Sequence, residues 1–136
     1  MKMRGGCLCG LVRYQCDQAP VLQFNCHCRD CQKSSGGPFS PIAFFPANSV
    51  IVTGEIKYFE SVGGSGKKNF RGFCPTCGSQ IFGKVEILPA LLSIRAGTLD
   101  EPSHYTPKAH IYVSHAAHWD HLDTSLTAFA EAAPQR

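Results

Sequence analysis

Apolar and polar positions alternate along this chain in short runs, and nearly every run stops at glycine or proline. Leu11 to Cys16 alternates as a half-buried strand does, with Val12, Tyr14 and Cys16 on one side. Val21 to Asn25 predicts a second strand that leads directly into Cys26. Phe39 to Phe45 predicts a third. Pro38, Pro41 and Pro46 around it predict an edge position, because proline has no N–H to give a ladder. Val50 to Thr53 is β-branched and ends at Gly54, a turn residue. Ile56 to Ser61 and Asn69 to Phe73 flank Gly63-Gly64-Ser65-Gly66, which predicts a hairpin with a flexible loop. Gln80 to Lys84, Leu91 to Ala96 and His110 to Val113 complete the predicted strands. A single short helix is predicted from about Asp30, which caps it, to about Ser35. Long helical periodicity is absent, so the fold reads as mostly β. Residues 1–126 read as one domain, and residues 127–136, with little apolar content beyond alanine and Phe129, as a loose tail.

Composition narrows the function classes. The 136 residues suit one domain with a modest core. The net charge of +3 is too mild for a dedicated nucleic-acid binder. No run approaches the roughly 18 apolar residues of a membrane span. Met1-Lys2-Met3-Arg4 leads at once into Gly5-Gly6-Cys7, without a signal-peptide core. Neither a nucleic acid nor a membrane is expected as partner, and the expected location is cytoplasmic. Disulfides are rare there, so eight cysteines read as metal or redox chemistry.

Seven of those cysteines fall in three clusters: Cys7-Leu8-Cys9-Gly10, Cys26-His27-Cys28-Arg29-Asp30-Cys31, and Cys74-Pro75-Thr76-Cys77-Gly78. Zinc takes thiolates at tetrahedral corners, and ligands one to four residues apart reach adjacent corners without strain. The first and third clusters each end in glycine, which permits the positive-φ curl that turns N–H groups toward sulfur. Cys7, Cys9, Cys74 and Cys77 are therefore expected to share one closed site that clips the N-terminal strand to the middle of the chain. The middle cluster offers three thiolates. That is the pattern of a catalytic zinc with an open position, or of a second structural site closed by Cys16, Asp30 or His110. Cys16 itself reads as a small core residue.

In this order and spacing the motifs resemble a known family. Gly6-Cys7-Leu8-Cys9-Gly10 with Val12-Arg13-Tyr14, the run Cys26 to Cys31, and Phe73-Cys74-Pro75-Thr76-Cys77-Gly78-Ser79 with Phe82 are similar to the glutathione-dependent formaldehyde-activating, or centromere-protein-V-like, zinc proteins. The resemblance runs from about Arg4 to Trp119. It implies an Mss4-like β-tent of small antiparallel sheets stapled by two zinc ions per chain. One ion is structural, on Cys7, Cys9, Cys74 and Cys77. The other is open and labile, on Cys26, Cys28 and Cys31. The implied activity is of carbon–sulfur lyase class, joining glutathione to formaldehyde as S-hydroxymethylglutathione. The competing expectation is a non-catalytic zinc module that binds a protein or another ligand.

Several side chains take candidate roles on that reading. Cys26, Cys28 and Cys31 form the catalytic set, and His27, between two ligands, is the candidate proton shuttle. Neighbours on an extended loop point to opposite sides, which would turn His27 from the metal. Arg29 and Lys33 flank the open site and are candidates to receive the glutathione carboxylates, with Arg13, Lys67, Lys68 and Arg71 as further cations. His115, His118 and His121 recur every third residue, but the family pattern puts no metal there. Phe39, Phe44, Phe45, Phe59, Phe70, Phe73 and Phe82 read as core.

Overall fold

A computed structural model describes residues 2–134. In chain order its strands are β1 (Met3–Gly6), β2 (Arg13–Cys16), β3 (Leu22–Cys26), β4 (Ser40–Pro46), β5 (Val50–Thr53) and β6 (Lys57–Val62). There follow β7 (Lys68–Phe73), β8 (Gln80–Val85), β9 (Leu91–Arg95), β10 (Ala109–Ile111) and β11 (Thr127–Ala128). The α-helix, α1, spans Arg29–Ser35. A three-stranded sheet runs β1-β2-β5, and an eight-stranded sheet runs β11-β10-β3-β4-β9-β8-β7-β6. The fold is mostly β and of Mss4-like type. All pairings are antiparallel except at one end of the larger sheet, where β10 lies parallel to both β3 and β11.

Period-2 alternation sorts the larger sheet into two faces. Ala43, Phe45, Phe82, Leu92 and Ile94 point to one face, against Val12, Tyr14 and Cys16 of the smaller sheet. This is the main core. Phe45, Phe82 and Ile94 are almost fully buried, and burial of a side chain of that size contributes about 1.5–3 kcal/mol. The other face carries Phe24, Cys26, Ile42, Phe44 and Ile111, a second cluster that takes in Cys31 from α1.

The predicted strands are present, most with shifted ends, and the structure corrects five readings and adds one strand. β4 is an inner strand, not an edge: it pairs with β3 from Leu22↔Phe44 to Cys26↔Ser40 and with β9 from Ile42↔Arg95 to Pro46↔Leu91. The two registers are offset, so Pro41 faces only β3 and Pro46 only β9. Each missing N–H falls where one side has no partner. β1, with two glycines, is a strand the pattern did not predict. A Cβ at Gly5 would lie 2.3 Å from both the Tyr14 hydroxyl and the Thr98 carbonyl oxygen, so glycine is needed for close approach. Helix α1 is capped by Cys28, not Asp30: Cys31 N–H donates to the Cys28 sulfur at 3.3 Å. The strand at His110 stops early, because Tyr112 adopts φ 57° and turns the chain into a 3-10 turn over Val113–His115. The loose tail is in part a strand: β11 pairs with Ala109 and His110, and Tyr112 N–H donates to the Glu131 carbonyl at 2.9 Å. Residues 135 and 136 of that tail lie outside the described residues. Phe59 is exposed rather than core.

Candidate metal centre and cavity

The β1–β2 connection brings Cys7 and Cys9 against Cys74 and Cys77 of the β7–β8 connection. Their four sulfurs lie within 4.8 Å of one another. Cys7 and Cys9 sulfurs are 3.5 Å apart, and Cys9 and Cys74 sulfurs 3.8 Å. A tetrahedral zinc with Zn–S near ~2.3 Å sets its sulfurs about 3.8 Å apart, so the donor set fits that ion. Gly10 and Gly78 have φ of 83° and 78°, the curl expected of glycine at these positions. Val12 N–H donates to the Cys7 sulfur at 3.2 Å. The Ser79 hydroxyl, 3.2 Å from the Cys77 sulfur, leads the interactions that pull that thiol down to about 5. Thiols made acidic at neutral pH are ready ligands.

Cys26 ends β3, Cys28 caps α1 and Cys31 sits in its first turn. These three sulfurs also lie within 4.8 Å of one another. Among the described residues no fourth histidine, cysteine or carboxylate joins them. Cys16 is buried in the main core on the opposite face. Hydrogen bonds from Cys26 and then Cys28 hold the Cys31 thiol well below its ordinary value. All eight cysteines are free. The three sulfurs open on a cavity of about 680 Å³, whereas the four-cysteine cluster does not line it. Three converging soft donors beside open space fit a zinc with a vacant coordination position.

The cavity floor is the second face of the larger sheet. One row across the strands reads Leu22, Phe44, Ser93, Gly83 and Arg71, and the next reads Phe24, Ile42 and Arg95. Tyr112, His115 and Ala132 to Pro134 add to the wall.

The remaining candidates divide. Arg29 and Arg71 line the cavity, while Lys33, Lys67 and Lys68 do not. His27 does not line it either. Its ring is fully buried behind the ligand loop, with Nε2 3.1 Å from His110 Nδ1. His110 Nε2 lies 3.1 Å from the Asp123 carbonyl oxygen, which only accepts, so that nitrogen carries the proton. His110 Nδ1 then accepts from His27, whose Nδ1 lies 3.4 Å from the buried Asp120 Oδ2. Burial lowers the His27 pKa. His118 and His121 join no metal cluster among the described residues. Arg95, 8% exposed, was missed by sequence reading. Its signal was the polar alternation of Ser93 and Arg95 within the run Leu91 to Ala96.

Residues 2–115 match the family described as glutathione-dependent formaldehyde-activating enzyme. The structure is similar to the crystal structure of a Rhodobacter sphaeroides protein, with a TM-score of 0.57 and 20% sequence identity. That similarity covers 72% of this chain and 88% of the other, and at such identity it speaks to the fold alone. No curated protein matches this chain.

Proposed function

The chain belongs to the glutathione-dependent formaldehyde-activating family, and on that premise we propose that it is a zinc-dependent enzyme of carbon–sulfur lyase type acting on a thiol–aldehyde pair. Glutathione and formaldehyde are the pair the family name suggests. The observation that carries this reading is the contrast between the two cysteine clusters. One has four sulfurs and stands off the cavity. The other has three sulfurs and opens on it.

Cys26, Cys28 and Cys31 would hold the reactive ion, which when bound supplies acidification of an incoming thiol at its open position. The protein's own residues do the rest. Phe24, Ile42 and Phe44 exclude water from the floor. The sheet holds the sulfur and the aldehyde carbon in one place, a gain of proximity. The thiolate sulfur adds to the carbonyl carbon, a carbon–sulfur bond forms, and the carbonyl oxygen takes up the proton the thiol lost. Reversal breaks the same bond, and no oxidant or reductant is consumed. Of the histidines, His115 lines the cavity and takes the place of His27 as the proton donor. Among the described residues no helix is long and apolar enough to cross a membrane. We place the reaction in the cytoplasm, where free cysteines persist.

The test is calorimetry of glutathione with zinc-loaded protein, beside Cys28→Ala. Binding that disappears in the variant supports a thiol site at the three cysteines. Binding that survives it, or no binding of any thiol, removes the enzyme reading in favour of a structural zinc module.

A further inference from the structure

Formaldehyde has one carbon, yet the cavity beside Cys26, Cys28 and Cys31 holds about 680 Å³. Its floor is divided. Leu22, Phe24, Ile42 and Phe44 make the part over β3 and β4 apolar. Across β9 the same rows pass to Arg95 and, through Ser93 and Gly83, to Arg71. Arg95 is 8% exposed, and its guanidinium donates from Nη1 to the Ser93 hydroxyl at 3.2 Å. Among the described residues no carboxylate lies within ion-pair reach of it. Arg71 donates from Nη1 to the Ser61 hydroxyl at 3.1 Å, and its Nε is buried without a partner. A Cβ at Gly83 would lie 2.4 Å from the Ser93 hydroxyl and 3.2 Å from Arg95 Nη1, so the missing side chain makes the seat for the guanidinium.

A buried charge is costly unless it is paired. The cysteines of the three-sulfur cluster offset part of the Arg95 charge, and beside Arg71, a second cation, a ligand carboxylate would supply the rest. A guanidinium fork matches a planar carboxylate in two hydrogen bonds. We propose that Arg71 and Arg95 form a carboxylate subsite, and that the thiol taken at the cysteine end is an apolar acid, with one carboxylate joined to sulfur through a hydrocarbon body. This rests on the reading of the cavity as a thiol site. β3, which ends in Cys26, and β9, which ends in Arg95, are separated only by β4. Two strand spacings are roughly 10 Å, a span that a six-carbon mercapto acid covers.

The experiment compares 6-mercaptohexanoate with 6-mercaptohexanol by calorimetry on the zinc-loaded protein. The acid is expected to bind about ten- to a hundredfold more tightly, the range of a charge-assisted hydrogen bond in a buried site. In Arg71→Met and Arg95→Met that ratio falls to about one while the affinity for the alcohol holds. If Arg95→Met loses its fold by circular dichroism, Arg71→Met carries the comparison. A guanidinium that only balances the charge of the cysteines would weaken acid and alcohol together, and that outcome overturns the subsite. Equal affinities in the native protein overturn it too, and glutathione binding more tightly than 6-mercaptohexanoate overturns the apolar body. Hexanoate, which has no sulfur, separates this proposal from the thiol reading. Its binding to Cys28→Ala, lost on adding Arg71→Met, keeps the carboxylate subsite even if no thiol binds. Its failure to bind Cys28→Ala, with acid and alcohol alike in the native protein, sinks the subsite alone.

Discussion

Arg13 and Asp100 meet through two nitrogens and two oxygens, at 2.9 and 2.5 Å, on the surface beside the four-cysteine cluster. Both side chains are about half exposed, 45% and 50%. Solvent screening limits such a pair to about 0.2–1 kcal/mol. The hydrogen bond from Arg13 holds the Asp100 carboxyl below its ordinary range. A depressed carboxyl contributes stability above its unfolded pKa, roughly 3.9 for aspartate, and loses it as pH falls through the lower folded value. Asp100→Asn should therefore lower stability by no more than about 1 kcal/mol at pH 7, and the gap should close in acid, as read from urea midpoints across pH. A gap that persists unchanged below pH ~3 would show that the pair contributes through something other than charge. At this scale the pattern was a good guide where neighbours in the chain decide. Val12, Tyr14 and Cys16 share a buried face as alternation predicts, and burial pushes the Cys16 thiol up to about 12, so it stays an inert core residue. His27 marks the limit: it turns from the cavity as its place in the loop suggested, but the groups it meets there, His110 and Asp120, lie far along the chain.

Helix α1 is seven residues long, too short to persist without its ends. Its cap sulfur is also a candidate metal ligand, so one atom serves both the helix and the site. Serine and cysteine part these roles, because a hydroxyl is a good cap and a poor partner for zinc. In metal-free protein, Cys28→Ser should be about 1 kcal/mol more stable than Cys28→Ala, while both lose thiol binding at the cavity. Equal urea midpoints for the two would mean that a cap acceptor at position 28 contributes nothing to the helix. Strand positions were legible because alternation is local, and β5 begins and ends where the β-branched run does. Strand neighbours were not. The prolines of β4 predicted an edge, and only the offset between two registers explains how an inner strand accepts them. The end of β10 depends on a positive φ at Tyr112, for which its own side chain gives no signal.

The two cysteine clusters divide the molecule into a clip and a cavity. Cys7 and Cys9 are held to Cys74 and Cys77 across more than sixty residues of chain, so an ion there would tie the smaller sheet to the larger and contribute to folding outright. Cys77→Ala should unfold or aggregate, and Cys28→Ala should keep its β signal by circular dichroism. Loss of that signal in both variants would undo the division into a structural and an open site. The spacing of cysteines and glycines in the chain was enough to pair the four-sulfur cluster, because close ligands and positive-φ turns are set by a few adjacent residues. It was enough, too, for the family and for the mostly β class. The second cluster's open side was not fixed by spacing, since Cys16, Asp30 or His110 could have closed it. Packing holds Cys16 in the core on the opposite face, and among the described residues no fourth ligand joins the three sulfurs. The cavity came entirely from long-range pairing. Residues that alternate in separate strands become one floor only when register sets Arg95 beside Ile42 and Arg71 beside Gly83. The last residues of the described chain become a wall only when β11 docks on β10. Alternation says which way a side chain points, and only the pairing of distant strands says what it will point at.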